Sequence, residues 1–150
     1  MRRNALSKAM ITPSDFVGRW NIARVIDDKH AGGQAHFAGT ALIACKDKDW
    51  VYSETGVLEI SGIAPMQAER TYLWRPDDAG FDIFFDDKRF FHRFDLDQES
   101  QARHWCDPDQ YEVQYDLSKW PSWQSTWIVL GPKKNYVLKN RYSLSETTVD

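Results

Sequence analysis

The stretch ARHWCDPDQYEVQY, Ala102 to Tyr115, sets His104 two residues before Cys106 and follows them with Tyr111 and Tyr115. Imidazole and thiol two apart share one face of a strand, a spacing that suits a soft metal such as zinc. His92 is the candidate third ligand; a closed zinc site takes four and an open one three. A cysteine nucleophile with a histidine base fits less well, because alternate strand residues sit roughly 7 Å apart while activation needs contact within about 3.2 Å. A third chemistry makes His104 a general acid or base, with Tyr111 as its partner and Arg70 stabilising developing negative charge.

The arginines point elsewhere. Arg70-x-Tyr72 places a guanidinium and a phenol on one strand face. An inward arginine cannot shed its charge and must meet an anion or several acceptors. Glu54, in YSETG, is the internal partner; an acidic group on a ligand is the alternative. The ligand-binding residues expected on this basis are Arg24, Arg70, Tyr72, Trp74, His92, His104, Tyr111, Tyr115 and Trp127. Trp20 and Phe90 would complete an aromatic cavity wall, and such a cavity suits an amphipathic organic anion.

Strands must position these side chains. Apolar residues recur at period two in RWNIARVID, ERTYLWR, FDIFFDD and YEVQYDL, and no long segment sustains a helical period. Turn-like clusters divide the chain into about ten strand-length runs spaced as antiparallel hairpins. The fold class expected is all-β: a single up-and-down antiparallel barrel, since closure removes exposed edges. TPSDFVG is the exception, a short N-terminal helix with Thr12 as cap, Pro13 at the first position and Gly18 at its end. The domain is expected over 12–146, between tails at 1–11 and 147–150.

Hairpin parity assigns the inner face. A turn at Asp87-Lys88 sets Asp82 opposite Arg93 outside, and Phe81 opposite Phe94, Ile83 opposite His92 and Phe85 opposite Phe90 inside. A turn at Asp107-Pro108 sets Arg103 opposite Glu112 outside and His104 opposite Tyr111 inside, with Ala102, Cys106 and Tyr115. Trp20, Ile22, Arg24 and Ile26 share one face; Arg70, Tyr72 and Trp74 share another.

Composition narrows the class of function. The 150 residues fit one domain, and a net charge of −3 with acids and bases interspersed lacks the basic stripe of a nucleic-acid binder. No run of about 18 apolar residues could span a membrane as a helix. Two cysteines are too few for a secreted disulfide framework, so a cytoplasmic setting is expected. Seven Trp, eight Phe and six Tyr demand either an aromatic core or an aromatic-lined cavity.

Gly18-x-Trp20 before the first strand, the meander and Arg141 in the last strand together resemble the lipocalin and calycin barrels. That resemblance implies that Trp20 closes the base and that Arg141 packs across it. The succession GRW, YSETG, RTYLWR, FFDDKRFFH, HWCDPDQYEVQY and GPKKNYVL is similar, over nearly the whole chain, to an uncharacterised bacterial family of lipocalin-like domains. Arg70-x-Tyr72 also resembles the carboxylate-gripping Arg-x-Tyr of fatty-acid-binding barrels, moved here to an earlier strand. The expected function is binding of a small hydrophobic or aromatic molecule with an acidic group, without cofactor or metal. A homodimer is a further option. The competitors are a barrel-cavity enzyme using His104 and Tyr111, haem or metal binding through His104 or His92, and an interaction module whose barrel is filled by its own side chains.

Overall fold

The computed structural model describes residues 11–96 and 99–145, so the expected tails lie almost wholly outside the described residues. A 3-10 turn over Pro13–Phe16 leads into ten strands: β1 (Gly18–Asp28), β2 (Gly33–Ala44), β3 (Trp50–Ile60), β4 (Met66–Pro76), β5 (Gly80–Phe85), β6 (Phe90–Asp95), β7 (Glu99–Cys106), β8 (Asp109–Asp116), β9 (Trp123–Leu130) and β10 (Asn135–Leu144). They form one antiparallel sheet in the order β6-β5-β4-β3-β2-β1-β10-β9-β8-β7. The sheet curls until its edge strands touch, which leaves a nearly closed barrel with a seam between β6 and β7. Among the described residues no backbone ladder crosses this seam. Instead the Asp95 amide donates to Ser100 Oγ (3.1 Å), His92 Nε2 and the Tyr115 hydroxyl share a hydrogen bond of 2.7 Å inside, and the Phe91 ring meets His104 edge-on at 5.5 Å.

The curl has a visible cause where Gly39 of β2 faces Gly56 of β3. A Cβ on Gly39 would fall 2.1 Å from the Thr55 carbonyl oxygen, and one on Gly56 2.3 Å from that of Ala38. Only glycine allows two backbones this close.

Phe16 plugs the base of the barrel. Fully buried, it touches Trp20, Trp74, Phe81, Phe94, Trp120 and Trp123 with ring centroids 4.7–6.4 Å away. Burying one such ring contributes about 1.5–3 kcal/mol, and well-angled aromatic pairs add roughly 0.5–1.5 kcal/mol each. Trp20 does close the base, its indole N–H donating to the Phe16 carbonyl at 2.9 Å. The expected N-terminal helix is only this 3-10 turn. Thr12 and Asp15 cap it, the Thr12 amide donating to Asp15 Oδ2 at 2.8 Å, but Val17 is already extended and Gly18 (φ +133) opens β1. Arg141 does not pack across Trp20. Asn140 and Tyr142 take the inner parity of β10 and leave Arg141 exposed; the rings of Trp120 and Trp123 cover Trp20 instead.

Inner parity otherwise follows the alternation. Trp20, Ile22 and Arg24 are buried between exposed Asn21 and Ala23. In β7 and β8 the pairs Ala102–Val113, Arg103–Glu112 and His104–Tyr111 form in the expected register. The β5–β6 hairpin departs from expectation. Phe81–Phe94, Asp82–Arg93 and Ile83–His92 pair as expected, but Phe84 then pairs with Phe90 across a bulge. Lys88 sits at φ +75 in the turn, and Phe91 becomes the extra residue, so Phe91 and His92 are both buried while Phe90 is 50% exposed. Phe90 therefore stands outside and Phe91 takes its place within.

Candidate functional site

Across the middle of the barrel runs a buried polar layer. Arg24 of β1 faces Phe37 of β2, whose ring centre lies 4.8 Å from the guanidinium, and it reaches Glu54 of β3 diagonally over the small inner residues Gly39 and Ala41. Arg24 Nη1 donates to Glu54 Oε2 at 2.8 Å and Nη2 to Oε1 at 3.0 Å. Arg24 Nε donates to Asn140 Oδ1, and Asn140 Nδ2 donates to Ser125 Oγ at 2.9 Å. The Tyr52 hydroxyl donates to Glu54 Oε1 at 2.5 Å and lies 2.7 Å from that of Tyr142. Burial alone would lower the Arg24 guanidinium, but its hydrogen bonds and charge pairing with Glu54 outweigh burial and keep it charged. Burial raises the Tyr52 and Tyr142 phenols and keeps both neutral.

Arg70 is Glu54's direct neighbour across β3–β4, yet its Nε stands 4.0 Å from Glu54 Oε2. The carboxylate already accepts three hydrogen bonds, two from Arg24 and one from Tyr52. Arg70 is 38% exposed, its guanidinium 5.9 Å from the Trp127 ring centre. Tyr72, Phe91 and Trp127 surround it, with mutual centroid distances of 5.3–6.1 Å. Burial raises the Tyr72 phenol, and the charge of Arg70 beside it pulls the other way.

His92 is 1% exposed and lines the same cavity. Desolvation, helped by His104, lowers its imidazole to about 3, so it is neutral at physiological pH. With Nε2 engaged by Tyr115, Nδ1 has no hydrogen-bond partner among the described residues; nor has the indole N–H of Trp123, another lining residue.

Of the nine expected ligand-binding residues, the cavity brings together Arg24, Arg70, Tyr72, Trp74, His92, Tyr115 and Trp127. His104 and Tyr111 stand above it at the rim, half-buried, with rings tilted at 6.5 Å and no hydrogen bond joining them among the described residues. Burial and the charge of Arg89 both lower the His104 imidazole. Among the described residues no group of three His, Cys, Asp or Glu side chains converges as a metal site. Both cysteines are free thiols, Cys45 exposed and Cys106 half-buried. Sequence parity overlooked Phe91, Ser125 and Asn140; the last two were legible as polar residues at inner positions of β9 and β10. The cavity itself is small, about 20 Å³, room for roughly one water-sized sphere, so the expected open aromatic cavity is an aromatic interior filled by its own rings.

No described helix is long and apolar enough to cross a membrane. The chain belongs to DUF6314, a family of unknown function, which it matches over residues 16–144. Among curated proteins nothing matches. Among solved structures the chain is similar to the S-type phycobiliprotein lyase CPES from Guillardia theta, with a TM-score of 0.59 at 8% identity over 95% of this chain and 98% of that one. At that identity the likeness carries the ten-strand barrel and no activity.

Proposed function

We propose that this protein binds a small aromatic or hydrophobic molecule carrying an acidic group, in the half of the barrel opposite Phe16. The observation that carries this reading is Arg70: a half-exposed guanidinium, ringed by Tyr72, Phe91 and Trp127, whose nearest carboxylate is already held by Arg24. A ligand acid would meet that cation, and its apolar body would lie against the rings. Because the cavity is only about 20 Å³, the ligand takes its place by displacing the half-buried side chains of Tyr72 and Trp127.

Fluorescence titration tests this with two dyes of one skeleton, 8-anilinonaphthalene-1-sulfonate and its uncharged counterpart N-phenyl-1-naphthylamine. The sulfonate should bind more tightly, and Arg70→Gln should weaken it by about ten- to 150-fold, the range for a hydrogen bond to a charged group. Equal binding of both dyes, unchanged in Arg70→Gln, would remove the anion from the reading.

The packed interior supports a second reading, a filled barrel that acts through its outside. Trp105 and Leu130, 57% and 49% exposed, border an outer groove with Arg103, Glu112 and Ile128. If neither dye binds, this reading replaces the first.

A further inference from the structure

We infer that the site selects ligands with a single negative charge, and that Glu54 sets this count. The inference rests on the ligand-binding reading above. Among the described residues three charged side chains line the cavity: Arg24, Arg70 and Glu54. Arg24 and Glu54 cancel, since two hydrogen bonds join them, while Tyr52 donates to Glu54 Oε1 and Arg24 Nε donates to Asn140. Neutral His92 adds nothing to the sum. One positive charge remains, on Arg70, and Glu54 Oε2 stands only 4.0 Å from its Nε.

That carboxylate is the second half of the argument. A ligand with one acidic group compensates Arg70 and leaves the layer below neutral. The cations at the rim are already paired, Arg89 with Asp87 and Lys134 with Asp109, so a second acidic group would meet no free one, and it would sit in an aromatic surround within reach of Glu54, where an unpaired charge is costly. Arg24, 6% exposed with its Nε and both Nη atoms committed, cannot turn to meet it. An uncharged ligand in turn leaves Arg70 uncompensated.

Calorimetric titration with three probes of one shape tests the count: 2-naphthoate, 2-naphthamide and naphthalene-2,6-dicarboxylate. The wild-type protein should prefer the monocarboxylate to each of the others by about tenfold or more. Arg70→Gln brings the internal charge to zero and should erase the preference of acid over amide. Glu54→Gln raises it to two and should shift the preference toward the dicarboxylate. If Glu54→Gln does not fold, Arg24→Met with Glu54→Leu removes the pair as a neutral unit, and the monocarboxylate preference should persist. Wild-type binding of the dicarboxylate as tight as that of naphthoate overturns the single-charge inference while leaving an anion site in place. Binding of the amide as tight as that of the acid overturns both, and so does a failure of all three probes to bind.

Discussion

At the base of the barrel Phe16, Trp20 and Trp123 are at most 1% exposed, whereas at the opposite end Tyr72, Tyr111 and Trp127 remain half-buried around an arginine. Both ends are built from large rings on alternating strand positions. The difference is a plug. The 3-10 turn delivers Phe16 into the base, where six rings close on it, while among the described residues only turns between strands border the other end. The buried arginine layer divides the two: Arg24 below has spent its charge on Glu54, and Arg70 above has not. An aromatic residue count therefore says nothing about binding until the location of the plug is known.

The strongest way to break this comparison is Phe16→Ala. Loss of the plug should cost about 3–5 kcal/mol by urea denaturation, and Tyr111→Ala at the rim less than half as much. Equal losses would mean that the two ends are packed alike. Next comes Glu54→Gln, which strands Arg24 and should cost about 3 kcal/mol, the low end for breaking a buried pair.

A smaller effect is the pH dependence contributed by His92. Its folded value, about 3, lies below the ordinary 6.5, so between those limits the unfolded chain binds a proton that the folded chain refuses. Stability from this group is fully present above about pH 6.5 and is lost as pH falls toward 3, with a slope approaching 1.4 kcal/mol per pH unit. Asp49, lowered by Arg75, and Asp77 and Asp87, lowered by their arginine partners and by backbone amides, lose stability in the same direction. The contribution of His92 is thus the difference between wild-type and His92→Gln melting curves, which should converge at acid pH. Identical pH profiles would place an accessible or already charged imidazole there. The smallest effect should be that of Arg70→Gln on stability, within about 0.5 kcal/mol, despite its large effect on dye binding.

The barrel and most of its inner face were legible in the sequence because an antiparallel meander writes its parity at period two: Arg24, Tyr72, Trp74, His92 and Tyr115 all follow from counting. Counting fails where the ladder slips. The bulge at Phe91 places two consecutive residues inside, and FFH carries no mark that says which phenylalanine turns in. The choice of partner for Glu54 was also out of reach. Arg70 is its neighbour in register, but the carboxylate goes to Arg24, which crosses diagonally over Gly39 and Ala41 with its guanidinium against the Phe37 ring, a path that no period reveals. Nor could strand periodicity tell a hollow barrel from a filled one, since that depends on ring volumes rather than on which face they occupy.

The seam falls between two strands that follow one another in the chain, while the first and last strands are zipped together along β1 and β10. A cut between β6 and β7 would therefore sever no strand ladder among the described residues. Fragments 11–96 and 99–145 each keep their hairpins, and each carries one edge of the β1–β10 zipper. The barrel is in this sense two half-shells hinged along its chain ends, and the pieces should recognise each other when expressed apart.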